Sequence, residues 1–147
     1  MKLQKILSNF QKLHPKEIDL SLDRIKNLCE KLGSPHNDIK CIQVCGTNGK
    51  GSTISFLHSI LKEAKIKCNV YTSPHIRSIN ERFIYNDKII GDDALAELLS
   101  EVENINNGEP LTYFEALTAA FFYGCQKYKE NIAVSYTHLT LPTILRV

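Results

Sequence analysis

The amino-acid sequence predicts an α/β fold in which a mainly parallel sheet is flanked by helices. Short apolar segments rich in β-branched residues alternate with longer segments whose apolar residues recur at helical spacing. One apolar segment runs directly into a glycine-rich loop that opens a helix. This order of strand, loop and helix is typical of the start of a parallel α/β sheet.

Two amphipathic helices are predicted before the first strand. Residues 2–14 carry apolar side chains at helical spacing until a proline ends the pattern. Residues 22–32 repeat this spacing and indicate the second helix. Asp19 or Ser21 could cap its start, and Gly33 is well placed just past its end.

A strand–helix–strand unit is predicted next. Residues 39–45 are short, apolar and β-branched, which predicts a buried strand. Apolar residues from Ile54 to Ala64 mark a helix, and residues 68–72 form a second predicted strand. Such a connection is almost always right-handed with parallel strands, so we expect the glycine-rich loop at the carboxyl edge of the sheet.

The segment after this unit is predicted to be a loop followed by a small hairpin. Residues 73–80 show no periodicity, whereas residues 82–85 and 88–90 flank an Asn-Asp pair suited to a tight turn.

Two further helices and a strand are expected in the remaining sequence. A helix over residues 92–105 is predicted to end at an Asn-Gly pair, and a longer helix to cover residues 113–129. A third sheet strand is predicted to begin at residues 132–134.

Composition favours an ordinary globular protein with one core. The chain has 147 residues, of which 43% are hydrophobic and 23% charged, with a net charge of +2. This balance favours neither a nucleic-acid-binding nor a membrane-binding surface, and no apolar stretch approaches the roughly 18 residues of a bilayer span. Five cysteines without a C-x-x-C pair are typical of thiols in a reducing compartment, so we expect a cytoplasmic protein.

The loop GTNGKGST is predicted to bind phosphate. Its glycines let several backbone N–H groups converge on an anion at the positive end of the following helix. Lys50 would reach the β- and γ-phosphates of a nucleotide, and Ser52 could bind a phosphate oxygen or Mg²⁺. The predicted ATP-binding residues are Gly46, Thr47, Asn48, Gly49, Lys50, Gly51 and Ser52.

The general G-x-x-x-x-G-K-[ST] pattern is not met literally. Val44 stands where its first glycine belongs, and Gly51 intervenes before the hydroxyl. The alternative is a glycine-rich turn with a solvated lysine. The position of the loop between a predicted buried strand and an amphipathic helix favours phosphate binding.

Four ordered segments resemble the folylpolyglutamate and dihydrofolate synthases of the Mur ligase superfamily. VCGTNGKGST resembles the phosphate loop of that family, and IDLSLDRIKNLCEKLGSP resembles its lead-in. YTSPHIRSINERF and LTYFEALTAAFFY resemble its S-P-H loop and its T-x-F-E helix. The resemblance covers about residue 10 to Val134 and implies a P-loop, Mur-ligase-type central domain.

The resemblance implies an ATP-dependent acid–amino-acid ligase of folate biosynthesis and one-carbon metabolism. Such an enzyme transfers the γ-phosphoryl group of ATP to a folate or dihydropteroate carboxylate, and the amine of L-glutamate attacks the acyl phosphate. The implied cofactors are ATP and Mg²⁺, and the full-length parent is expected to be a monomer without nucleic-acid or membrane partners.

The same resemblance assigns roles to individual residues. Lys50 is implied to be catalytic, because it would stabilise charge on the moving phosphoryl group. Ser73 is implied to be a magnesium ligand. The positions that border the folate or pteroate pocket are Asp19, Leu20, Ser21, Leu22, Thr112, Tyr113, Phe114 and Glu115.

Structural roles stay open for several of these residues. Ser73 could cap the turn at the following proline, and Thr112 with Glu115 has the spacing of a helix capping box. Glu81 and Arg82 could form a surface pair on an edge strand. His75 is better interpreted as a hydrogen-bonded loop residue than as a catalyst. Three phenylalanines are better interpreted as core than as a folate-binding surface: Phe114, Phe121 and Phe122.

Residues 135–147 do not resemble the family. After Val134 its members usually continue with an E-V-G-L-G-G-type segment whose glutamate is thought to hold magnesium, whereas SYTHLTLPTILRV has no acidic residue. We therefore expect a partial ATP-binding domain over residues 1–134 and an artefactual or frameshifted tail. This chain, as an incomplete fragment, is expected to lack ligase activity and to bind nucleotide weakly.

Other functions remain open from the sequence. A different P-loop small-molecule kinase would share the phosphate loop but stop at phosphoryl transfer. A non-catalytic nucleotide-binding module is favoured by the missing carboxylate. A Mur ligase of cell-wall synthesis is a nearer alternative, although the T-S-P-H and T-Y-F-E segments look more folate-like. The preference between dihydropteroate and folylpolyglutamate is not determined.

Overall fold

The computed structural model describes residues 2–14, 21–129 and 132–136. The chain divides into two compact units. A helical unit comprises Met1–Asn37 and Gly91–Gly124, and a sheet unit comprises Asp38–Ile90 and Cys125–Val147. The elements in chain order are α1 (Lys2–Lys12), α2 (Asp23–Lys31), β1 (Lys40–Gln43), α3 (Lys50–Glu63), β2 (Asn69–Tyr71), the 3₁₀ helix η1 (Ile79–Arg82), β3 (Phe83–Tyr85), β4 (Lys88–Ile89), α4 (Asp92–Asn106), α5 (Tyr113–Tyr128) and β5 (Ile132–Ser135).

The sheet has the strand order β1-β5-β2-β3-β4. β5 pairs in parallel with β1 on one side and with β2 on the other, whereas β2–β3 and β3–β4 are antiparallel. The sheet predicted to be mainly parallel is therefore mixed, with three parallel strands extended by an antiparallel hairpin. The carboxyl ends of β1, β5 and β2 meet at one edge, and the glycine-rich loop follows β1 there.

The parallel strands are covered by α3 in the sheet unit. Ile54 of α3 is buried together with Cys68, Val70 of β2 and Val134 of β5. The partly buried apolar residues packed around this cluster are Val44, Leu57, Leu61, Ile84, Ile132 and Tyr136. Helix α3 thus packs where the predicted strand–helix–strand unit requires it.

The prediction of a buried first strand over residues 39–45 is wrong. β1 covers only Lys40–Gln43, its residues alternate between exposed and half-buried, and Ile42 is 42% exposed. In the part of the chain that the structure describes, β1 pairs only with β5 and forms an edge of the sheet. Its apolar residues are therefore not covered on both faces, as a central parallel strand would be.

In the helical unit, α1 and α2 pack against α4. The fully buried side chains of this unit include Phe10, Ile25, Leu28, Leu95, Leu99 and Val102. Their spacing along each helix places them on one face, as the sequence pattern predicts. Phe121 and Phe122 of α5 are also buried, which confirms their core role, whereas Phe114 is only half-buried.

The start of α2 differs from the prediction and its end agrees with it. Leu22 occupies the N-cap position and makes no side-chain hydrogen bond there, whereas Ser21 stands one residue before it and Asp19 lies outside the described residues. Gly33 follows the helix with φ +83°, a left-handed conformation that glycine adopts without strain. The Ser34 N–H donates to the carbonyl of Cys29 at 2.8 Å and closes the helix end.

Among the described residues, no helix is both long and apolar enough to cross a bilayer. The longest, α5, has 16 residues, whereas a span needs about 20.

Replacing Ile54 should destabilise the sheet unit. Ile54→Ala removes a side chain that is 3% exposed within the α3 cluster, and we expect it to lower the free energy of unfolding by about 2–5 kcal/mol. Ile60→Ala on the same helix is the matched control, because Ile60 is 65% exposed and should change stability by less than about 0.5 kcal/mol. Denaturant unfolding, monitored by circular dichroism, measures the free energy of unfolding of both variants. Equal losses of stability in the two variants would contradict the assigned packing of α3.

Candidate functional site

A sharp turn joins β1 to α3 at the carboxyl edge of the sheet. Gly46 has φ +152°, and Gly49 has φ +76° at the N-cap position of α3. The left-handed conformation at Gly49 favours glycine, since a side chain there would be strained. Gly51 has no such constraint, and a Cβ added to it would meet no atom within 4 Å. The open space at Gly51 lets a ligand approach the backbone closely.

The start of α3 has the properties of an anion-binding helix terminus. The first backbone N–H groups of a helix have no partner within it and lie at the positive end of its dipole. No acidic residue stands in the first turn of α3, and residues 46–49 are exposed. An anion would therefore meet N–H donors without a competing carboxylate in that turn.

Lys50 lies folded back over its own loop. Its ammonium donates to the carbonyl oxygens of Gly46 at 2.6 Å and Thr47 at 3.0 Å, and it stands 5.3 Å from the centre of the Tyr136 ring. Among the described residues no carboxylate forms an ion pair with it. The positive charge is thus held at the loop by carbonyl dipoles and a ring face, and it stays available to an anion.

Two hydroxyl groups near the loop differ in whether they are available to bind a ligand. Thr53 donates its hydroxyl to the carbonyl of Gly49 at 2.9 Å, which is a local bond within the helix. Ser52 is exposed in the first turn of α3. Ser52 is therefore better placed than Thr53 to contact a phosphate oxygen or its metal ion.

Ser73 lies in the loop that follows β2 and is 4% exposed. Its hydroxyl accepts a hydrogen bond from Nη1 of Arg82 at 3.5 Å, and Nε of Arg82 donates to Nδ1 of His75 at 2.9 Å. Burial and the positive charge of Arg82 lower the pKa of His75, which disfavours its cationic form. Arg82 is itself buried, so its interpretation as half of a surface pair with Glu81 is wrong.

Glu81 holds the loop that precedes it through hydrogen bonds to the loop backbone. Its carboxylate accepts backbone N–H bonds from Ile76 at 2.8 Å, Arg77 at 3.1 Å and Ser78 at 3.0 Å. With Ser78 it forms the capping box of η1. Sequence reasoning missed this role, although the S-x-x-E spacing from Ser78 to Glu81 is the signal that indicates it.

The phosphate loop and the Ser73 loop border one cavity within the sheet unit. Its volume is about 460 Å³. Gly51 at the start of α3 lines it on one side, and Pro74 and Glu81 line it on the other. Of the residues predicted to bind ATP or metal, Gly51 lines this cavity, and Ser73 directly precedes Pro74, which also lines it.

The residues predicted to border a folate or pteroate pocket fall in the helical unit. Arg24 in the first turn of α2 donates its Nε to Glu115 of α5 at 3.3 Å, which joins the two segments. Glu115 also accepts the Thr112 N–H at 2.8 Å, and its own N–H donates to the Thr112 hydroxyl at 3.1 Å. The capping box is thus present. Four more of the predicted pocket residues are half-buried and stand close in sequence to Arg24 or Glu115, namely Ser21, Leu22, Tyr113 and Phe114. Asp19 and Leu20 lie outside the described residues.

Acid should loosen the Glu81 loop. The three backbone bonds hold the pKa of Glu81 below its ordinary value of 4.5. Because the pKa of Glu81 is lower in the folded than in the unfolded chain, its carboxylate stabilises the loop fully when the pH is above the unfolded-state pKa. This stabilisation is lost as the pH falls through the folded-state pKa. We expect hydrogen-exchange protection at the amides of residues 76–78 to fall below about pH 4.5, and Glu81→Gln to weaken it at neutral pH. Glu63→Gln on the exposed end of α3 is the control; protection unchanged in Glu81→Gln would contradict the assigned role.

Curated relatives and solved structures point to the same family. No family model matches the sequence. The dihydrofolate synthase/folylpolyglutamate synthase of Haemophilus influenzae is 38% identical over 128 residues, which are 87% of this chain and 29% of the relative.

Solved structures agree with the sequence match. The bifunctional folylpolyglutamate synthase/dihydrofolate synthase of Yersinia pestis, complexed with AMPPNP and Mn ion, superposes with a TM-score of 0.85 at 29% identity, over 93% of this chain and 33% of that one. Escherichia coli FolC in complex with DHPP and ADP superposes with a TM-score of 0.84 at 32% identity, again over 93% and 33%. The chain spans about a third of the length of these relatives. It belongs to the folylpolyglutamate and dihydrofolate synthase family.

Proposed function

We propose that this chain carries the ATP-binding loop of a ligase that adds L-glutamate to folate or dihydropteroate through an acyl phosphate. The observation that supports it best is the placement of Lys50. Its ammonium lies over a glycine loop at the amino terminus of α3, bound to two carbonyl oxygens and to no carboxylate among the described residues. The relatives with AMPPNP or ADP bound support the same ligand class.

The loop would act by stabilising negative charge. On binding ATP, the Lys50 ammonium would exchange the Gly46 and Thr47 carbonyls for phosphate oxygens, which make stronger charge-assisted bonds. The backbone N–H groups at the start of α3 would then stabilise charge on the phosphoryl group as it moves to a folate carboxylate oxygen. The glutamate amine would next attack the acyl carbon, phosphate would leave, and an amide would form.

A magnesium ion fits these residues as a partner of the nucleotide. Mg²⁺ keeps several water and phosphate oxygens as ligands, so neutral hydroxyls can complete its shell. Ser52 would supply one, Ser73 would supply the other once its bond from Arg82 is released, and the bound ion would neutralise phosphate charge. Glu81 is not proposed as a ligand, because its carboxylate accepts three backbone N–H groups.

The folate or pteroate pocket is proposed at Ser21, Leu22 and residues 112–115, with Asp19 and Leu20 as further members. The Arg24–Glu115 bond supports this proposal, because it joins the start of α2 to the start of α5. The relative with DHPP bound supports the ligand class. We also propose a cytoplasmic location, which the five cysteines present as thiols support.

Removing the loop lysine should weaken nucleotide binding. A charged hydrogen bond contributes about 1.5–3 kcal/mol, so Lys50→Ala should weaken the affinity for Mg-ADP or Mg-ATP by about tenfold to a hundredfold. Lys62→Ala, at the other end of the same helix, is the matched control and should leave affinity unchanged. Isothermal titration calorimetry measures both. Equal affinities for wild type and Lys50→Ala would reject the proposed loop function.

Turnover is proposed only for a protein of the relatives' full length, because this chain covers 29% of the Haemophilus enzyme. We expect the purified chain to release no phosphate from ATP in response to glutamate and dihydropteroate. A coupled phosphate assay tests this, with a full-length relative as the positive control. Robust glutamate-dependent release by the chain would contradict the expectation, and release without glutamate would favour a kinase or ATPase.

A further inference from the structure

Three side chains of types that can ligate a metal converge in the sheet unit. His58 lies on α3, Cys68 directly precedes β2, and Asp87 lies in the turn between β3 and β4. One donor atom from each, an imidazole nitrogen, the thiol sulfur and a carboxylate oxygen, lies within 4.8 Å of the other two. The three residues are far apart in sequence and match no metal-binding spacing, so only the fold brings them together.

The fold holds the hairpin turn that carries Asp87 close to the residue that follows Cys68. Asn86 and Asp87 have φ values of +50° and +64°, the left-handed pair of a tight hairpin turn. The Asn86 N–H donates to Oδ1 of Asn69 at 3.2 Å, which ties this turn to the residue that follows Cys68. Rigid neighbours of this kind preorganise a binding site.

The cluster has a buried side and an open side. Cys68 is fully buried in the core beneath α3, whereas the side chains of His58 and Asp87 are 21% and 16% exposed. His58 also lines the 460 Å³ cavity. An ion could therefore enter from the cavity, meet the thiol at the inner end, and keep a water molecule as its fourth ligand.

We propose that His58, Cys68 and Asp87 form a binding site for a zinc-class divalent transition metal. A thiolate and an imidazole suit Zn²⁺ and Co²⁺ and disfavour Mg²⁺ and Ca²⁺, which bind oxygen ligands. Tetrahedral Zn²⁺ holds its N, O and S ligands about 3.4–3.6 Å apart. The 2.8 Å between Nε2 of His58 and Oδ1 of Asp87 would widen by roughly 0.6 Å on binding, and the sulfur would move closer to both atoms. Binding displaces the thiol proton to solvent.

Cobalt is the probe for this site, because thiolate-bound Co²⁺ absorbs in the near ultraviolet and tetrahedral Co²⁺ has strong visible bands. The tag-free 147-residue chain, reduced and stripped with a chelator, is titrated with Co²⁺ and then with Zn²⁺. We expect both bands to saturate at one Co²⁺ per chain and to disappear when Zn²⁺ is added. Saturation without a thiolate band, or no visible band at millimolar Co²⁺, would overturn the proposal.

Substitutions assign the ligands. Cys68→Ser should abolish the thiolate band, and His58→Ala and Asp87→Asn should each weaken Co²⁺ binding at least about tenfold. The matched controls are the exposed Cys45→Ser, His14→Ala and Asp38→Asn, which should bind as wild type does.

Circular dichroism shows whether each variant folds. If Cys68→Ser unfolds because its side chain is in the core, His58→Ala and Asp87→Asn decide the question. Wild-type affinity in both of them, or loss of the band in Cys45→Ser, would reject the site.

Discussion

The pairing of β5 between β1 and β2 is the constraint on which the sheet unit depends. Two backbone bonds extend this pairing to the strand ends, where the Val44 N–H donates to Ser135 at 2.9 Å and the Tyr136 N–H donates to Tyr71 at 2.9 Å. The first sets where the chain leaves β1 for the phosphate loop. The second places the Tyr136 ring, against which the Lys50 ammonium rests. Ser135 and Tyr136 begin the segment that we predict from the sequence to be unlike the family, and they can join the sheet because backbone pairing does not depend on side-chain identity.

Charge is distributed so that the phosphate loop keeps its positive potential. Lys50 and the amino terminus of α3 face no carboxylate in the first turn of that helix. The carboxylate of Glu81, which lines the cavity, accepts hydrogen bonds from the backbone of its own loop. Arg82 is in turn directed to Ser73 and His75. Hydrogen bonds of this kind hold the loops in a fixed geometry. Because Glu81 and Arg82 are already hydrogen-bonded, their charges do not compete with a ligand for the phosphate loop.

The two compact units carry different parts of the proposed chemistry. The sheet unit contains the phosphate loop, Ser73 and the His58–Cys68–Asp87 cluster, and the helical unit contains the residues proposed to bind folate. In the helical unit, Glu115 serves both the α5 capping box and the bond to Arg24. A capping residue is held rigidly by the helix it caps, which suits it equally for positioning a ligand. Helix geometry and the proposed binding role of Glu115 are thus compatible.

The sequence by itself determined the local elements and the family. Periodicity located the helices, the glycine loop followed by a lysine indicated phosphate binding, and Asn86-Asp87 indicated the hairpin turn, because each depends on residues a few positions apart. Four ordered motifs indicated the family that the comparisons then showed. Only the tertiary structure decided the strand order, the exposure of Ile42 at the sheet edge, the Arg24–Glu115 bond and the meeting of His58, Cys68 and Asp87. These features depend on which segments, distant in sequence, pack together. Residue spacing along the chain does not determine which distant segments are in contact.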